Sequence, residues 1–184
     1  STTYTGVTGA ASPAIASQRD QVWSWMVQKG WASSAGGTVS KPLDTVYVSA
    51  GGNDAGFAAV AESCIAADCS DDSASDEPWA SATAAIGDLN DPGGAFETLH
   101  ERFLPLVSSP SAIMISTYPD IGLKSSGQHC TGGESTLHNV DGLWDDWLSW
   151  VDQAEWNRMI SWFMSPLNTQ ISATAGKFGW TVVS

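Results

Sequence analysis

Along the chain, short β-rich runs alternate with longer stretches of helical period. The run 45–50, Thr-Val-Tyr-Val-Ser-Ala, is dense in β-branched and aromatic residues and stops at Gly51-Gly52, which predicts a short buried strand entering a tight turn. A second run, 112–118, is halted by Pro119, and a third, Trp-Thr-Val-Val, covers 180–183. Between them, Val22, Trp25 and Met26 recur at helical steps within 15–31, and Phe96, Leu99, Phe103 and Leu106 mark one face of 94–106. The longest helical pattern, 154–178, carries Trp156, Ile160, Phe163, Leu167 and Ile171. Pro166 should kink it or end its first half, because proline has no N–H to give to the preceding turn.

Strands alternating with helices predict parallel strands joined by right-handed crossovers, hence an α/β sheet covered on both faces, a doubly wound three-layer α/β/α sandwich. The 184 residues suit one domain, 1–184, and show no internal repeat. Two stretches read as long polar loops. One, 66–78, is acidic and Ser-rich, and the other, 122–141, holds Gly127, His129, Gly132, Gly133 and His138 without clear period; loops of that length are usually functional or mobile. Trp144, Trp147, Trp150, Trp156 and Trp162 crowd one region. A core-facing stripe is the favoured reading, ahead of an apolar or carbohydrate-stacking wall beside a cleft.

Composition narrows the function classes. Hydrophobic residues at 42% and charged residues at 15% suit a folded protein, and Asp+Glu 20 against Lys+Arg 7 gives a net charge of -13. That charge repels a phosphate backbone, so no nucleic-acid partner is expected. No apolar run approaches the roughly 20 residues that span a bilayer, so no integral membrane segment is expected either. The first residues hold no basic-then-apolar leader, and any leader is expected to have been removed. No cofactor is called for. Cysteines number three, Cys64, Cys69 and Cys130, and one pair with one left over is the simplest arithmetic. A zinc cage of Cys64, Cys69, His129 and Cys130 is the competing reading, but the spacing matches no common finger or ribbon, and a disulfide is preferred.

The most informative stretch is Gly51-Gly52-Asn53-Asp54, delivered by the first strand to the carboxyl end of a parallel sheet, where ligands bind in open α/β folds. Glycines let the backbone approach a ligand closely, and an Asn amide can donate the hydrogen bonds that a developing oxyanion requires. On pattern alone, an Asx turn or a cap on the next helix is the favoured reading of Asn53 and Asp54.

These residues resemble the G-x-N-D block of SGNH (GDSL-like) hydrolases, and the string from Ser49 to Phe57 is similar to the secreted actinobacterial esterase and lipase branch of that family. Thr8-Gly9-Ala10-Ala11-Ser12 is similar to the family's S-G-A-T block, and Tyr118-Pro119 ends a strand as the family's Y-P does. The resemblance implies a flavodoxin-like parallel sandwich and a secreted, monomeric carboxylic ester hydrolase acting on a small-molecule, lipid or polysaccharide ester. It implies Asn53 and Gly9 as oxyanion donors, Gly51, Gly52 and Asp54 as residues shaping the substrate turn, and a Cys64–Cys69 disulfide. It also implies an incomplete domain. The G-D-S block with the nucleophilic serine and the D-x-x-H block with the catalytic histidine are not found, so the chain by itself is expected to be inactive and to expose a strand edge at Val46 to Val48. A cysteine in the missing tail would be the natural partner of Cys130.

His100, on a helix with Phe96, Leu99 and Phe103, is expected at an amphipathic surface or boundary position rather than in catalysis. His129 and His138 are not assigned as a base, and Ser12, Ser49 and Ser116 lack the elbow that exposes a nucleophile. The rival reading is a noncatalytic extracellular module that binds carbohydrate or protein on the same fold.

Overall fold

The computed structural model describes residues 18–34, 37–66, 69–70, 76–120, 123, 126–127 and 153–184. Strands β1 (Val46–Val48), β2 (Ile113–Ser116) and β3 (Thr181–Val183) form one parallel sheet in the order β1-β2-β3. Each lies inside a predicted run. Val46 pairs with Ile113 and Val48 with Ile115, so these four side chains share a face of the sheet, and Ile113 and Ile115 are fully buried there.

Helix α1 (Gln18–Gln28) occupies the first predicted helical stretch, and α4 (Ala95–Phe103), extended by a 3-10 turn over Leu104–Leu106, occupies the second. Two intervening helices, α2 (Phe57–Ala66) and α3 (Trp79–Asp88), were not predicted. Both are rich in alanine, a strong helix former whose intermediate hydrophobicity blurs the apolar period. The third stretch divides into α5 (Gln153–Arg158), a π-helical segment Met159–Met164 and α6 (Ser165–Phe178). Pro166 stands at the start of α6 and has no N–H to offer the turn before it, so the disturbance expected there takes the form of a widened coil rather than a break.

The core gathers Phe96 of α4, Leu167 and Ile171 of α6, Trp79 of α3 and Phe163 against Ile113 and Ile115. Burying those large side chains is worth roughly 1.5–3 kcal/mol each. Tyr47 alternates to the opposite face and is 62% exposed. The described residues therefore establish a mixed α/β fold with an open parallel sheet, and they do not by themselves complete a three-layer sandwich. Among them β1 has β2 as its single strand neighbour. No described helix is long and apolar enough to cross a membrane.

Cys64, at the end of α2, is bonded to Cys69, and both are buried. The loop they close is tied to α5: the Cys69 N–H donates to Glu155 Oε1 at 3.1 Å, and Arg158 Nη1 donates to the Ser70 carbonyl at 3.1 Å. The Arg158 guanidinium lies over the rings of Trp79 and Trp162, 4.7 and 4.9 Å from their centroids.

Candidate active site at the carboxyl ends of β1 and β2

Beyond Val48 the chain turns through Gly51 to Gly56 into α2. The turn is closed by backbone bonds from Ala55 N–H to the Gly51 carbonyl (2.8 Å), Gly56 N–H to the Asn53 carbonyl (3.1 Å) and Phe57 N–H to the Gly52 carbonyl (3.0 Å). Gly51 has φ +106, a conformation that residues with a side chain rarely adopt, and a Cβ there would meet Phe96 at 3.2 Å and Leu167 at 3.3 Å. Gly52 is constrained differently. Its N–H donates to the Tyr118 hydroxyl at 2.9 Å, and a Cβ on it would lie 2.8 Å from that oxygen.

Tyr118 follows β2 and is held by α6. Its N–H donates to Asn168 Oδ1 at 2.8 Å, and Asn168 Nδ2 donates back to its carbonyl at 3.0 Å. One amide side chain thus satisfies both backbone groups where the β-ladder ends, which would otherwise be left short of partners.

The two strand ends and the helix beyond them enclose a cavity of about 210 Å³. Gly52, Asn53, Tyr118 and Asp120 supply its polar side. Phe57, Trp156, Met159, Ile160 and Met164 supply the apolar walls, the last three from the widened π-helical segment. Phe57 is backed by Phe163, with ring centroids 5.7 Å apart. Trp156 is 3% exposed, so it is at once the core residue expected of the tryptophan stripe and a wall of the cavity, whereas Trp162 is largely at the surface. Asn53 is exposed at the cavity, and its side-chain amide forms no hydrogen bond to another described residue. An amide donor presented to an apolar recess can hold a carbonyl oxygen and, in a reaction, the negative charge that develops on it.

The predicted site residues do not all meet here. Asn53 and Gly52 line the cavity; Gly51 shapes the turn against the core, and Asp54 faces a separate shallow depression beside Leu89, Gly94 and Ala95. Gly9, Ser12, His129, Cys130, His138, Trp144, Trp147 and Trp150 lie outside the described residues. His100 is half-buried, as expected of a boundary position; its Nδ1 accepts from Trp180 Nε1 at 3.0 Å, and its ring stacks on Phe178 at 4.2 Å. Trp180 precedes β3 whereas Gly52 follows β1, so in a parallel sheet His100 sits at the end away from the cavity. With Cys64 and Cys69 bonded to each other, the zinc cage loses two of its ligands. Among the described residues no three His, Cys, Asp or Glu side chains come together as a metal site.

Sequence reasoning missed three contributors. Tyr118 was read only as a strand end, and Asn168 and the Met159–Met164 wall were read only as helix. The signal available was Pro166, since a proline inside a helical pattern marks a local departure that often accompanies a site.

Fold and cavity together define a mixed α/β protein with a ligand-sized apolar recess at the carboxyl ends of its parallel strands. Comparison with protein-family models, with curated proteins and with solved structures returns no match for this chain.

Proposed function

We propose that the chain carries the oxyanion-binding part of a secreted SGNH-type carboxylic ester hydrolase, an esterase or lipase. One observation carries this reading: the Asn53 amide stands uncommitted at an apolar cavity, on a Gly-Gly-Asn-Asp turn at the carboxyl end of a parallel strand. When a nucleophilic oxygen adds to an ester carbonyl, the C=O π pair moves onto the carbonyl oxygen, and the amide N–H stabilises the charge there. Collapse of the adduct expels the alcohol. In that family the nucleophile and the base come from the G-D-S and D-x-x-H blocks, and the reading assigns to this chain the oxyanion-binding part alone.

The test is ester hydrolysis by the gene product that contains this chain. Asn53→Ala should lower kcat by about 100- to 1,000-fold while the unfolding midpoint stays put; unchanged turnover rejects the assignment. A noncatalytic binding module is favoured by one observation, that no described serine or histidine lines the cavity. Ligand binding without hydrolysis in that gene product would select that reading.

A further inference from the structure

Tyr118 is half-buried, and its hydroxyl oxygen accepts the Gly52 N–H at 2.9 Å, at the wall that Gly52 and Asn53 form. A phenol has one proton to donate, and among the described residues that of Tyr118 has no acceptor. Accepting from the amide polarises the O–H and strengthens it as a donor. The hydroxyl is also held in place. Asn168 fixes the backbone of Tyr118 from α6, and the backbone of Gly52 fixes the oxygen.

We infer that the Tyr118 hydroxyl is a second donor at this site and, with Asn53, binds the carbonyl oxygen of a neutral acyl compound with a short apolar chain. The inference rests on the reading of Asn53 given above and adds a residue and a ligand class to it. Neutrality follows from Asp120, a carboxylate on the same cavity, and from the net charge of -13, both of which disfavour a bound anion. Chain length follows from size. A cavity of roughly 150 Å³ takes a benzene, so about 210 Å³ walled by Trp156, Met159 and Ile160 takes an acyl chain of about six carbons.

The test needs no turnover. Methyl pentyl ketone presents the same carbonyl and chain, cannot be hydrolysed, and has a C=O stretch clear of the protein amide band. Its infrared spectrum is recorded bound to the 184-residue chain, to Tyr118→Phe and to Asn53→Ala. The inference expects the bound band to lie below its position in an apolar solvent and to move part of the way back up in each variant. Affinity should weaken by roughly 2- to 12-fold per donor lost. Phenylalanine keeps the ring, so a merely structural role for Tyr118 would alter stability and leave the band in place. A band unmoved by Tyr118→Phe yet raised by Asn53→Ala overturns the second donor and leaves Asn53 standing. A ketone that fails to bind the parent chain, or binds with an unshifted band, overturns both.

Discussion

Replacing Gly52 with alanine tests whether the cavity wall is as closely fitted as the distances say. The added Cβ would lie 2.8 Å from the Tyr118 hydroxyl, 2.9 Å from Cζ and 3.1 Å from Cε1, so it meets the ring itself and not only its tip. Tyr118 cannot back away by moving its main chain, because Asn168 holds its N–H at 2.8 Å and its carbonyl at 3.0 Å. Either the ring swings out or the turn opens, and both break the Gly52 N–H bond to the hydroxyl. Overpacking costs about 1–3 kcal/mol and the lost bond about 0.5–1.5 kcal/mol. Against these, alanine restricts the unfolded chain and returns about 0.4–1 kcal/mol. The net expectation is a destabilisation of about 2 kcal/mol, which lowers the urea midpoint by about 1 M at an ordinary denaturant slope. Two controls isolate the cause. In a Tyr118→Leu background the ring is gone, and the cost of Gly52→Ala should fall to less than half. Gly56→Ala, at φ +77 with nothing within 4 Å, should cost about 1–2 kcal/mol through backbone strain alone and be indifferent to Tyr118. A Gly52→Ala protein within 0.5 kcal/mol of the parent, or a cost unchanged by Tyr118→Leu, would refute the close fit.

Two further outcomes follow from the same geometry. Asn168→Ala strips both main-chain partners from Tyr118 and should cost about 2 kcal/mol, read from urea unfolding, with ketone affinity falling alongside. Changing Cys64 and Cys69 together to alanine opens a short loop, a loss of about 2 kcal/mol in the chain-entropy account; hydrogen exchange should show the added opening concentrated at Cys69 and α5, which share the Glu155 bond.

The parts legible in the sequence are those whose cause is local. Val46, Ile113 and Ile115 announce strands because β-branched residues suit a pleated surface, and Gly51-Gly52-Asn53 announces a turn at a strand end because glycine and asparagine tolerate the backbone conformations that tight turns need. The layering of helices over both faces is not legible in β1, whose Tyr47 is exposed on the second face. The site lay further from view. Tyr118 meets Gly52 across 66 positions and Asn168 across 50, contacts created by strand pairing and by the docking of α6, neither of which leaves a mark on the neighbours of Tyr118 in the chain. Alanine-rich α2 and α3 escaped for a different reason, since alanine stands at buried positions (Ala61, Ala82) and exposed ones (Ala58, Ala59, Ala84) alike and so marks no face.

The widened coil between Arg158 and Ser165 also acts as a phase shifter. Each residue of an α-helix turns the chain by about 100°, so excising a single residue there and restoring a regular coil would rotate everything before it about the axis. Glu155 would then swing away from the Cys69 amide and Trp156 away from the recess, while Leu167 and Ile171 stayed seated on the strands. The recess and the sheet are thus served by two halves of one rod set at different angles, and that offset allows a single helical run to floor the protein and to wall its ligand chamber.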